Sequence, residues 1–485
     1  MHTDWDLGLC GLDAVDLARL LADREVSARE VAEAFVAHAA RVNPSVNALV
    51  TRTFDQALER AGRLDRALAA GTAAGLLHGL PVAHKDLADT AGVRTTYGST
   101  VFADHVPDAD DLHVARMTAA GAVSLGKTNT PEFGAGSQTF NRVFGATLNP
   151  YDLTRTSGGS SGGAAAALAV RAVALADGSD MGGSLRNPAA FCNVIGLRPS
   201  PGRVPDPGAT DPWSPLAVVG PMARTVADVG LLLAAIAGPD PSCPLTATGD
   251  AGPFSSATEV LAELDAPIRA PRVAWSPDLG GLPVDPAIRA VLSALPELLT
   301  GLGWPVTEAT PDLAGADQAF STLRAQLYAT SFESLLAQHR DQLKDTVVGN
   351  IEQGLALTSA DLRQAARASA LLLHRAGRFW ADHDLLVCPV TQVPPFDVRT
   401  EWVREIDGQQ LGSYIEWMAS ATRVTMLGAP ALSLPAGFTP AGLPVGVQLV
   451  AAPGRDWDLL RWARLLEAAT GHARRLPPIT AYGLS

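Results

Sequence analysis

Between residues 157 and 186 the chain reads Ser157-Gly158-Gly159-Ser160-Ser161-Gly162-Gly163, then an alanine-rich apolar run, then Asp180-Met181-Gly182-Gly183-Ser184-Leu185-Arg186. Glycines packed around a serine let the backbone come close to a ligand and point several N–H groups at one spot. An oxyanion hole is made that way, with donors fixed in advance where negative charge will develop. A hydroxyl at the end of such a turn is a candidate nucleophile. One Gly/Ser turn alone is commonplace and reads as a flexible loop. Two of them, joined by the run from Ala164 to Ala176, point to a site. That run reads as a buried helix; Arg171 interrupts it, and it is too short to span a bilayer.

Towards the N-terminus, residues 80–83 read as a short strand that leads into Lys85, within Pro81-Val82-Ala83-His84-Lys85-Asp86. A polar loop, a helix over 112–120 and a strand over 122–125 follow. Residues 126–163 are then rich in Gly, Ser, Thr and Asn with little periodicity, as loops that carry sites are. The first 70 residues read as helices: Ser27-x-x-Glu30 is a capping box ahead of Val31, Phe35, Val36 and Val42, and Asn43-Pro44 closes that helix. Towards the C-terminus, the Pro/Gly/Ser/Thr-rich stretch 237–262 reads as a surface connection. Strands at 387–390, 431–434 and 445–450 alternate with helices at 361–380 and 456–469, which predicts an α/β sheet covered by helices.

Composition bounds the function. Of 485 residues, 47% are hydrophobic and 18% charged, enough for a large core. A net charge of −13 offers nothing to neutralise a nucleic-acid backbone and no basic stripe for a membrane surface. Cys10, Cys192, Cys243 and Cys388 lie far apart with no CxxC pair, so reduced thiols are expected rather than disulfides or zinc. The histidines show no ligand spacing, so no metal is expected. Residues 1–9 hold Asp4 and Asp6 and no Lys or Arg, which is not how a secretory signal starts; a cytoplasmic protein is expected.

Lys85 and the two serine loops together resemble the amidase signature family, whose hallmark is a Gly-Gly-Ser-Ser-Gly-Gly loop followed by Asp-x-Gly-Gly-Ser-x-Arg. The likeness begins near Gly79, is densest through Pro199, and resumes at Gly428-Ala429-Pro430-Ala431-Leu432-Ser433-Leu434-Pro435 and Gly442-Leu443-Pro444-Val445-Gly446-Val447-Gln448. It implies an α/β fold with a central mixed sheet sandwiched by helices. In that frame residues 1–70 are a helical segment packing on the core and 71–240 the signature-bearing core. Residues 241–425 are the variable substrate-pocket region and 426–485 the rest of the core. By position the resemblance makes Lys85 the base, Ser160 a serine preceded by a cis peptide, and Ser184 the nucleophile. The N–H groups of Met181, Gly182, Gly183 and Ser184 are the implied oxyanion hole, Ser157, Asp180 and Arg186 the bracing residues, and Gly134 and Ala135 the contacts to the acyl chain. The implied activity is hydrolysis of small-molecule amides, anilide-like or with extended apolar acyl groups, extending to carbamates (urethanes) and polyamide oligomers. No metal or organic cofactor is implied, and a homodimer is the suggested assembly.

The chemistry is consistent with those roles. A free lysine is neutral at pH 7 only about once in a few thousand molecules, and burial disfavours the ammonium. Lys85 would then take a proton from Ser160, and Ser160 from Ser184 as it attacks the carbonyl. The leaving amine regains the proton by the same route.

Other readings compete. Gly158-x-Ser160-x-Gly162 matches the α/β-hydrolase nucleophile elbow, which makes Ser160 the nucleophile of an esterase and needs a downstream histidine such as His339, His374, His383 or His472. Gly121-x-x-x-x-Gly126-Lys127-Thr128 matches the P-loop letters, but Ala122-Val123-Ser124-Leu125 is strand-like and Pro131 follows, so it is a chance match. The chain would also suit the glutaminase component of a tRNA-dependent amidotransferase, or a binding protein with dead chemistry, against which the intact Lys85, Ser160 and Ser184 argue. His84, next to Lys85, either tunes the site or, as a lone neighbour more often does, packs. Trp402, Tyr414 and Trp417 either line a pocket or form one buried face.

Overall fold

The computed structural model describes residues 7–246 and 254–478. Eleven strands form one sheet, in the spatial order Leu49–Arg52, Val123–Thr128, Pro81–Lys85, Leu175–Asp180, Val218–Ala223, Ile195–Arg198, Ala431–Phe438, Pro444–Ala451, Leu385–Pro389, Val273–Trp275 and Val306–Glu308. The sheet is mixed. Pro81–Lys85 runs parallel to both neighbours, whereas Val218–Ala223 is antiparallel to Leu175–Asp180. Helices cover both faces, so strands read as continuous apolar runs. In Leu385–Pro389, Leu385 and Val387 enter the core shared with the Gly162–Ala169 and Val226–Ile236 helices. Leu386 and Cys388 enter the opposite core, against Ala316–His339 and Ser359–Asp382. That split is the two-residue period of a strand. This is the expected α/β architecture.

Local expectations meet two corrections. The Ser27–Glu30 capping box is present, but its helix runs Ala28–Val46, past Pro44. Pro44 sits in the last turn, where little remains to be broken. The Asn43 side chain then takes the N–H groups of Ala48 and Leu49 and turns the chain into the edge strand Leu49–Arg52, inside the segment read as all helix. The run 164–176 is not one helix. The helix Gly162–Ala169 stops, Arg171 takes a left-handed φ of 60°, and the strand Leu175–Asp180 follows. Ala172 N–H closes on Ala167 O in the manner of a Schellman cap, and the Arg171 guanidinium holds Cys10 O and Gly11 O. The region read as variable pocket contains the strand expected near 387–390, observed as Leu385–Pro389, together with Val273–Trp275 and Val306–Glu308 beside it.

In the 237–262 connection, residues 247–253 lie outside the described residues, and a helix starts at Ala257. No described helix is long and apolar enough to cross a membrane.

Candidate active site

Lys85 closes its strand, 1% exposed, because the sheet and the Gly162–Ala169 helix bury the strand end. The helix lies that close because it is built of Gly and Ala: a Cβ on Gly163 would sit 2.2 Å from Asn129 N. From there Lys85 Nζ donates to Ser160 Oγ at 2.7 Å and to Ser179 Oγ at 3.0 Å. Burial pushes its pKa from 10.5 down to about 7, against the opposing pull of Asp180 and Asp177. About half of the Lys85 population is then neutral near pH 7.

Ser160 follows a cis Gly159–Ser160 peptide. The Gly159 carbonyl accepts from Ser137 Oγ at 2.7 Å, and Ser137 Oγ accepts from Asn187 Nδ2 at 2.9 Å. Ser161 N–H donates to Ser184 O at 3.1 Å, tying the two serine loops together. Ser184 lines the same cavity as Ser160, Met181, Gly182 and Gly134, a space of about 210 Å³ roofed by Phe133, Tyr328 and Phe332.

Asp180 organises the second loop. Its carboxylate accepts from Gly183 N–H at 2.9 Å, Leu185 N–H at 3.1 Å and both Nε and Nη2 of Arg186. Burial alone would raise this carboxyl; Arg186, Arg198 and the N–H donors outweigh it and hold it well below the usual carboxylate range. Arg186, fully buried, also reaches Ala421 O, Thr425 Oγ1 and Gln448 Oε1, which locks the loop to the C-terminal part of the sheet. Ser157, likewise buried, donates to Thr147 O at 3.3 Å.

The Gly183 N–H, at φ 106°, donates to the Asp180 carboxylate, whereas the N–H groups of Met181, Gly182 and Ser184 meet no acceptor among the described residues.

The family model described as Amidase matches residues 30–460. The chain belongs to the amidase family. It is 35% identical over 469 residues to an acylamidase of Rhodococcus erythropolis, covering 96% of this chain and 97% of that one. It is 34% identical to a glutamyl-tRNA(Gln) amidotransferase component of Thermosynechococcus vestitus, covering 96% and 99%. Its fold superposes on 6-aminohexanoate cyclic dimer hydrolase complexed with substrate, with a TM-score of 0.87, 28% identity and coverage of 97% and 99%. As an amidase it is an enzyme that hydrolyses amide bonds.

The amidase site includes residues that the sequence reading passed over. Ser179 shares the Lys85 amine. Asp177 accepts the Lys85 backbone N–H at 2.8 Å and meets His84 Nδ1 at 2.5 Å, with His113 beyond at 3.8 Å. His84 is therefore part of the support beneath Lys85, not only packing. Burial would raise Asp177; His84, His113 and the Lys85 N–H bring it down to about 2, while burial takes His113 down to about 4. An aspartate after the apolar run Val173-Ala174-Leu175-Ala176 breaks the pattern, and that was the available signal. Ser137 and Asn187 gave none.

Other expectations resolve differently. Gly134 lines the cavity, but Ala135, fully buried in one cluster with Tyr328, Leu336 and Leu343, does not. Trp417 is buried against Phe191 and Phe396, and Trp402 and Tyr414, partly buried, pack on the same cluster; Tyr414 lies in a turn ahead of Glu416, so the three form a cluster and not one helical face, and none lines the cavity. Lys127 of the P-loop match lies in a strand, buried, with its amine on Thr90 Oγ1 and Ala88 O. His339, His374, His383 and His472 do not line the cavity, which leaves Ser160 with no histidine to activate it among the described residues. Among the described residues no His/Cys/Asp/Glu group could hold a metal ion.

Proposed function

We propose that this amidase hydrolyses small-molecule amides through an acyl-enzyme on Ser184, with Ser160 relaying protons to Lys85. The observation that carries the reading is the 2.7 Å bond to Ser160 from a buried lysine whose pKa is lowered to about 7, in the cavity that Ser184 also lines. Neutral Lys85 accepts a proton through Ser160 as Ser184 Oγ attacks the carbonyl carbon. The oxyanion is received by the N–H groups of Met181, Gly182 and Ser184. The proton returns through Ser160 to the leaving nitrogen, and water clears the ester by the reverse relay. Anilide-like amides are the first substrate class, with carbamates and polyamide oligomers as extensions of the same acyl transfer. The acylamidase relative supports action on acyl amides, and four unpaired thiols suit a reducing cytoplasm.

The test is turnover of acyl 4-nitroanilides by the purified chain, beside Ser184→Ala and Ser160→Ala. Anilide hydrolysis lost by a factor of about 10³ or more in both variants is expected. Ester hydrolysis that survives Ser184→Ala would instead make Ser160 the nucleophile. Glutamine hydrolysis seen only with an added partner would favour the amidotransferase role.

A further inference from the structure

The cavity wall holds a cation that no carboxylate among the described residues neutralises. Arg324, on the helix Ala316–His339, is 5% exposed and lines the same cavity as Ser160 and Ser184. Its Nη1 donates to Asn350 Oδ1 and its Nη2 to the Tyr414 hydroxyl. The guanidinium lies 4.4 Å from the Tyr328 ring centroid and 5.4 Å from that of Tyr414. All of these partners are neutral, and no Asp or Glu among the described residues forms an ion pair with Arg324. Buried Arg186, Arg198 and Arg203, by contrast, each meet Asp180 or Asp456.

Burying an uncompensated charge is costly, and a binding site is where such a charge is put to use. The guanidinium fork carries more donors than Asn350 and Tyr414 occupy, and its flat geometry suits the two oxygens of a carboxylate. The aromatic faces and the asparagine fix its orientation without cancelling its charge.

We propose that Arg324 is a specificity-determining residue that binds a carboxylate at the far end of the acyl group. The preferred substrates are then monoamides of short dicarboxylic acids. This deepens the amidase reading and rests on it: the scissile carbonyl lies among the Met181, Gly182 and Ser184 donors while the distal carboxylate meets Arg324 across the cavity. A purely structural Arg324, bracing its helix to Asn350 and Tyr414, would affect stability without setting any preference among acyl groups.

The experiment compares kcat/KM for succinyl, glutaryl and adipyl mono-4-nitroanilides with their alkyl and terminal-carboxamide isosteres. In the native enzyme one diacid length is expected to exceed both of its isosteres by about 10- to 100-fold, the range of a charge-assisted bidentate contact. Arg324→Gln is expected to collapse that ratio. Asn350→Asp, which keeps the arginine but sets a carboxylate against it, is expected to lower the ratio as well, and it decides the matter if Arg324→Gln does not fold. Raised ionic strength should reduce the ratio less than it would for a surface contact, since the site is enclosed. Hydrolysis of neutral anilides with no preference for any diacid overturns the inference and leaves the amidase reading standing. So does a preference for the carboxamide over the carboxylate, or a diacid preference that survives both variants. Failure to hydrolyse any anilide of the set sinks the amidase reading itself.

Discussion

Lys85 can act as a base only when its amine is neutral, and this sets how the enzyme responds to pH. A lysine at 10.5 would be neutral in about one molecule in three thousand at pH 7; at about 7 it is neutral in about half, a gain on the order of 10³ in competent enzyme. The sign follows directly: lowering the pH protonates the base and removes activity. Anilide kcat/KM, which reports the free enzyme, is therefore expected to be flat above about pH 8. Below about pH 6 it should fall by about tenfold per unit, reaching about a hundredth of the plateau at pH 5. Lys85→Arg keeps the charge but cannot give up its proton, so it should lose about 10³-fold or more, with no recovery on the alkaline side. The assay is initial-rate kinetics from pH 5 to 10 at constant ionic strength, with folding checked by circular dichroism at each end. A profile flat down to pH 5, or a limb in the carboxylate range, would refute Lys85 as the base. Activity still climbing at pH 10 would show that burial does not depress the amine.

The surrounding residues make narrower predictions. Asp177 favours the Lys85 ammonium, so Asp177→Asn should move the acid limb to lower pH. It keeps an acceptor for the Lys85 N–H but disturbs the His84 contact, and a stability loss of about 1–3 kcal/mol in urea unfolding should accompany the shift; an unmoved limb would show that Asp177 acts on packing alone. Gly163→Ala drives a Cβ to 2.2 Å from the Asn129 backbone, which cannot yield as a side chain would. A loss above about 3 kcal/mol, or failure to fold, is expected, and a near-native melt would mean that the helix and its neighbour can part.

How much was legible depended on whether a residue's role is carried by its own neighbours in the chain. The two Gly/Ser loops and Asp180 with Arg186 are local constructions: Asp180 takes the N–H groups of Gly183 and Leu185 only three and five residues on, so motif and geometry arrive together. The fate of the Gly183 N–H was not legible, because the motif shows that a donor exists and not which acceptor takes it. Residues 164–176 misled because a buried apolar run has no face to distinguish helix from strand; the Arg171 bend is set by carbonyls some 160 positions away. Arg324 carried no signal at all. An arginine on a helix reads as a solvated face until the Asp345–Leu355 helix and the Tyr414 segment close around it.

The sequence by itself therefore carried the family: a lysine, two serines and their glycines in order are local motifs, and their resemblance to the amidase signature is what implied acyl transfer. The tertiary structure decided what makes that chemistry usable. Burial of Lys85 beneath a glycine- and alanine-built helix lowers its pKa, a desolvation effect that exists only once the sheet is covered. It also decided the cavity beside Ser160 and Ser184, whose wall joins residues from 87 to 418, because a cavity is a property of surfaces that meet and not of the segments that supply them.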